Sequence, residues 1–273
     1  MIFIQIFYIF FLVQCLNVYS FTTLINHSLS IIKYHSNIYK IDDSHNHIHS
    51  KEVLYYTNEI LKDEHDPLTK DEIYIVVLAS LFHDVIDNKY VSESNIQKKH
   101  LLMNYLSELL VPDYIFNEIW FIINNMSYSK TIKYDKNFEP YYEIPKYIES
   151  YKYKKLFNIV RNADLLSSYN LKRSFEFNYY KKNDKKENFD MIDIYNEVFS
   201  LYNRRMKKLR KNKILSLDNK KIDEISLFLE KESLEKLNSY HLISYDDTLK
   251  FFNMYPKNIN LQEINKDLQN KMV

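Results

Sequence analysis

Not one of the 273 residues is glycine. Several phosphate- and nucleophile-handling elements need glycine, either for positive φ or for close approach of the backbone. A P-loop, a Rossmann phosphate-binding turn and a nucleophile elbow are therefore excluded. Two-residue type I′ hairpins, which want φ > 0 at both central positions, are disfavoured too. No stretch keeps a period-two alternation, and no long internal repeat is visible, whereas apolar residues recur at helical spacing through most of the chain. The expectation is a single all-α domain.

At 46% apolar residues the chain can bury one sizeable core. Lys and Arg number 37 against 36 Asp and Glu, so global charge gives no reason to expect nucleic acid as a partner. A single cysteine, Cys15, excludes an intrachain disulfide framework and a thiolate metal cluster. The 25 tyrosines, beside abundant Asn, Ile and Lys, read as AT-biased coding rather than aromatic function.

Residues 1–20 are an apolar segment, read either as a signal or anchor or as an extension that packs on the domain. The apolar run, 1–13, is shorter than the roughly 20 residues of a spanning helix, and no Lys or Arg precedes it. The chain is expected to be cytoplasmic if this segment does not target it, and otherwise secretory or membrane-associated. Residues 21–41 read as a linker or a short irregular helix, 42–240 as the domain and 241–273 as a C-terminal extension.

Within the domain, Thr69 with Glu72 predicts a capping box that starts a central helix over about 70–87. Ser94 with Gln97 opens another. Further helical patterns cover 115–126, 146–172, 190–211 and about 219–238, and 131–145 reads as a polar, Tyr-rich loop.

Chemistry gathers at the end of the central helix. His83 and Asp84 are adjacent there, and Asp87 follows at helical-neighbour spacing, all reached from an apolar run. A buried ionisable pair needs compensation, and a divalent cation is the simplest. Three histidines, His45, His47 and His49, alternate at the entry to the preceding helix, and Asp164 borders an apolar stripe further on. Were His49, His83, Asp84 and Asp164 to converge, they would form an N/O donor set suited to Mn²⁺, Fe²⁺, Co²⁺, Zn²⁺ or Mg²⁺. The alternative is a His–Asp pair that caps the helix and hydrogen-bonds inside the core.

Lys89, Lys130 and Arg173 are candidate phosphate clamps, each of which could equally be a solvated surface charge. Ser127 and Ser129 could donate to a phosphate or simply shape a turn. The basic run Arg204 to Lys211 lies on an amphipathic pattern and reads as a solvated face.

These residues, in the order H…HD…D on helices, resemble the HD-domain superfamily of metal-dependent phosphohydrolases, most closely its small nucleotide pyrophosphohydrolases. Ser44 to Val53 is similar to that branch's SHDxxHxxRV segment, and Ala79 to Tyr90 to its ALLHDIxDxKF. Ile122 to Lys130 resembles its helix ending in SFSK, and Val160 to Leu166 its VxDADRLD. The likeness runs over about residues 42–235. It departs from the branch at Asn46 (Asp there), Glu52 (Arg), Leu165 (Arg) and Ser167 (Asp), and in its missing glycines.

The resemblance implies one divalent metal ion, Mn²⁺ favoured, on His49, His83, Asp84 and Asp164. It implies Asp87 and Asp84 as catalytic groups, with His45, Lys89, Lys130 and Arg173 toward the substrate. The expected activity is hydrolysis of a phosphoanhydride or phosphoester in a small phosphorylated substrate such as a nucleotide. The alternatives are a phosphodiesterase on a cyclic nucleotide or nucleic-acid end, and a non-catalytic module stapled by its metal. The departures fall on charged positions outside the ligand set, so they bear on substrate choice more than on the metal.

Overall fold

The computed structural model describes residues 21–215 and 219–272. The expectation for residues 1–20 falls outside them. In chain order the helices are α1 (Phe21–Tyr39), α2 (His47–Lys62), α3 (Lys70–Phe82), α4 (Asn95–Glu108) and α5 (Asp113–Asn125). A short α6 (Tyr128–Thr131) leads into a two-stranded antiparallel ribbon of β1 (Ile132–Tyr134) and β2 (Pro140–Tyr142), with Ile132 opposite Tyr142. Then come α7 (Lys146–Glu149), α8 (Lys154–Ser167), α9 (Leu171–Asp184) and α10 (Met191–Leu201). A π-helical turn (Tyr202–Met206) joins α10 to α11 (Lys207–Lys211). The last helices are α12 (Lys220–Ser239), α13 (Tyr245–Phe251) and α14 (Leu261–Lys271). The fold is all-α apart from the small ribbon, which lies in the segment read as a loop.

The centre is α3. Its residues Ile73 and Ile75 to Phe82 are all buried, so the helix is apolar on every side and must be wrapped. Both expected capping boxes are present, Thr69 with Glu72 before α3 and Ser94 with Gln97 before α4. Around α3 pack α2, α5 and α8, and α2 also lies along α8. The start of α2, the end of α3 and the end of α8 meet at one end of this group, which places the donor residues.

Two boundaries differ from the sequence reading. Residues 21–39 are not a linker: in α1, Phe21, Leu24, Ile25, Leu29 and Ile32 are buried against α2 and α3. Their helical spacing is that of a core-facing stripe, although Asn, Ser and His lie between them. Nor is 241–273 a mere extension. Ile264 and Leu268 of α14 are buried, Asp267 accepts from Asn58 at 3.0 Å, and Lys271 Nζ donates to the Glu64 carbonyl at 2.8 Å. The domain therefore runs from 21 to 272.

Helices end here without glycine. Lys40, Leu110, Lys186 and Lys213 take φ of 51°, 57°, 53° and 51° just past the ends of α1, α4, α9 and α11. The next residue's N–H reaches back five positions each time, as from Ile41 to Ser36 O and from Val111 to Leu106 O. These are Schellman closures with a Cβ where glycine normally sits.

Candidate metal centre

His49 lies in the first turn of α2, whose N-cap Asn46 accepts from Ile48 N at 2.8 Å. The Asn that departs from the family pattern thus serves as a cap. His83 follows α3 directly; the helix ends at Phe82, not near 87 as expected, and residues 83–86 continue in tight turns. His83 Nδ1 donates to Ser80 O at 2.9 Å, which fixes the tautomer and leaves the Nε2 lone pair facing inward. Asp164 lies in the last turn of α8, where a carboxylate opposes the helix dipole and calls for a cation.

The four expected donors come together. Nε2 of His49 and Nε2 of His83 are 3.0 Å apart. Asp84 Oδ2 is 3.4 Å from the first and 3.3 Å from the second, and Asp164 Oδ1 is 3.6 and 3.7 Å away. Donors each about 2.1 Å from a common centre stand about 3.0 Å apart at right angles and about 3.4 Å apart at tetrahedral angles. The spacing fits a divalent ion, and His49, His83 and Asp164 form a group that could hold one. The histidines are 2% and 6% exposed, so unpaired charge here would be costly.

The electrostatics agree with a cation-seeking cluster. Burial would raise the Asp84 carboxyl, but the His83 and His49 rings hold it well below the ordinary range. Asp164 is likewise held down against burial, chiefly by His49. Burial and the Arg173 charge act to lower His49, yet the Asp164, Asp84 and Glu52 carboxylates together push it up to about 9.

A cavity of about 340 Å³ opens beside the cluster, with His83, Asp84 and Asp164 on its wall. Asp87, Lys89 and Lys130 also line it. Asp87 reaches it from the turn beyond α3 rather than from the helix, and its Oδ1 accepts from Lys89 N at 2.8 Å. Lys130 Nζ donates to the Asn124 carbonyl on the opposite rim. His45 stands behind the site, with Nδ1 2.6 Å from Ser44 Oγ and 2.9 Å from the Tyr90 hydroxyl, and its Nε2 receives Lys89 Nζ at 3.2 Å. Burial lowers its pKa, so Lys89 meets a neutral ring. Arg173 Nη1 lies 2.6 Å from His49 Nε2 and touches Nδ1 as well, closing the cluster from the side of α9. His47 is not part of the group.

No family model, curated protein or solved structure matches the chain. The family resemblance thus rests on its motifs alone.

The structure adds Lys98, a residue the sequence reading passed over. It is 4% exposed, lines the same cavity, and donates from Nζ to Asn88 Oδ1. The signal was available: Lys98 precedes Leu102, Tyr105 and Leu106 at helical spacing, which puts a cation on the buried face of α4. Arg161, one turn before Asp164, is a structural residue. It stacks 3.7 Å from the Tyr142 ring centre and donates to Thr131 Oγ1 and to Ile214 O, joining the ribbon to the segment after α11.

Proposed function

We propose that this protein is a divalent-metal-dependent phosphohydrolase acting on a small phosphorylated substrate, with Mn²⁺ the favoured ion and a nucleotide the favoured substrate class. The observation that carries the reading is that the His49 and His83 Nε2 atoms lie 3.0 Å apart with Asp84 and Asp164 carboxylate oxygens 3.3–3.7 Å from both, at the wall of a cation-lined cavity. His49, His83, Asp84 and Asp164 would hold the ion. When bound, it supplies Lewis-acid polarisation of a phosphoryl oxygen and acidifies water.

The chain's own groups do the rest. Lys89 N fixes the Asp87 carboxylate in a turn at the cavity wall, from where it can take a proton from the attacking water. Lys89, Lys98 and Lys130 place positive charge around the space a phosphoryl group would fill, which stabilises charge on its oxygens in the transition state. His45 holds Lys89 by its ammonium group and so aims it.

One observation favours a second reading. Arg173 already lies against His49, and a proton held on His49 offsets part of the charge of the carboxylates around it. In that case the group is an internal ion-pair network without a metal.

The deciding experiment is Mn²⁺ titration of the full chain, followed by a nucleotide panel in which orthophosphate and pyrophosphate are measured separately. Asp84→Asn is run in parallel. Metal binding with turnover that the variant loses supports the phosphohydrolase reading. Failure to bind Mn²⁺, Mg²⁺, Co²⁺ or Zn²⁺ leaves the ion-pair network.

A further inference from the structure

A second cavity, of about 230 Å³, lies across Lys89 from the first. Lys89, Arg173 and Arg205 line it together with Ser168, Ser174 and Phe177, and no carboxylate is among its walls. Three cations facing a space without a counter-charge is an arrangement that an anion completes.

Arg205 gives the stronger sign. Its Nε is buried and has no hydrogen-bond partner. No ion pair among the described residues involves Arg205. A buried N–H without an acceptor is costly, so such a group implies an absent acceptor. The guanidinium is also held in place: its Cζ lies over the Tyr128 ring, 3.8 Å from the ring centre.

The backbone is adapted to this position. Arg205 lies in the π-helical turn Tyr202–Met206, whose extra residue changes the facing of side chains relative to a regular helix. Tyr202 and Met206 are buried in the core on either side of it. Phe177 adds an apolar wall and lies 5.7 Å from Lys89 Nζ.

We infer that this cavity is a second anion subsite, taking a phosphate group of the substrate other than the one at the donor cluster. The space is smaller than the roughly 300–1,000 Å³ of a whole-ligand pocket, which suits one group of a larger molecule. Resting on the phosphohydrolase reading, this assigns a substrate with at least two phosphates, whose chain crosses Lys89 between the two cavities. Arg205 and Arg173 hold the distal phosphate by their N–H edges, and Ser174 is placed to donate to it.

The test is calorimetric titration of the full chain with inorganic pyrophosphate in EDTA, so that binding does not depend on a metal. The wild type is expected to bind. Arg205→Met should weaken binding by at least about tenfold, the size expected for a lost charge-assisted hydrogen bond. Arg204→Met, which removes the same charge from an exposed neighbour, should change it less than about twofold. Arg205→Lys keeps charge and bulk without the planar fork, and should fall between; it decides the matter if Arg205→Met does not fold. The inference is overturned if the wild type does not bind, if Arg205→Met and Arg205→Lys bind like the wild type, or if Arg204→Met is as weak as Arg205→Met. Mn²⁺ affinity, measured on the same samples, separates the two readings. Its absence with Arg205-dependent pyrophosphate binding intact removes the phosphohydrolase and keeps the subsite, while Mn²⁺ binding without that dependence does the reverse.

Discussion

The proton on His49 occupies the place a metal ion would take, and that competition can be measured. The ordinary histidine value is 6.5, and the surrounding carboxylates push His49 up to about 9. At roughly 1.4 kcal/mol per pH unit, the difference is worth on the order of 3 kcal/mol. The folded protein keeps this proton where the unfolded chain has lost it. The stabilisation is therefore complete below about pH 6.5 and disappears as pH rises through about 9. Urea unfolding of the full chain in EDTA should thus show stability falling on the order of 3 kcal/mol across that window. This is a large part of a typical total of about 5–15 kcal/mol. Over the same window Mn²⁺ affinity should rise by about tenfold per pH unit, since the ion must displace the proton. Asp164→Asn removes one of the supporting carboxylates and should move both curves to lower pH. If the metal-free curve is flat from pH 6.5 to 9, or Mn²⁺ affinity changes less than about twofold there, the coupled cluster described above does not exist.

Other consequences are more local. Asp164→Asn should weaken Mn²⁺ binding more than about tenfold by calorimetry while leaving the helical circular dichroism unchanged. Lys98→Met should raise KM for the phosphorylated substrate about tenfold with stability unchanged or higher, because a buried charge is replaced by an apolar chain of similar length. A lower urea midpoint with an unchanged KM would show Lys98 to be structural instead. Leu268→Ala on α14 should cost about 2–5 kcal/mol in urea unfolding, as for a fully buried leucine; a loss under about 1 kcal/mol would mean that α14 is not part of the core.

The convergence of His49, His83, Asp84 and Asp164 was legible because these residues are chemically distinctive and two of their helices start at caps that the sequence marks. Asn46 before α2 and Thr69 with Glu72 before α3 position the helices that carry His49 and His83. The end of α3 was harder to read. The apolar pattern runs on through Val85 and Ile86, which are buried in the turn just as they would be in a helix, so periodicity does not reveal the change of backbone. Helix α1 reads from the sequence as at most a short irregular helix because its apolar residues are diluted by Asn, Ser and His, and α14 reads as lying outside the domain because only Ile264 and Leu268 anchor it. Lys98 was passed over, and Arg205 reads as part of a solvated basic face, for a shared reason. Lysine and arginine are so common in this chain that a cation facing inward looks like any other until the helix faces are assigned.

The glycine-free helix ends bear on how the chain reaches this structure. At Lys40, Leu110 and Lys213 the left-handed turn opposes local preference by about 1–2 kcal/mol. It is followed by Ile41, Val111 and Ile214, of which Ile41 and Ile214 are buried in the folded molecule and Val111 is partly buried against the core. After α4, Pro112 bars continuation of the helix; after α1 and α11 neither glycine nor proline follows directly, and burial of Ile41 and Ile214 sets the end. In the unfolded ensemble, nascent α1 and α11 should therefore run past their native ends and shorten only when the core closes on Ile41 and Ile214. Helix length and tertiary packing are then set in one cooperative event, and segments cut from this chain should be longer helices in isolation than they are in place.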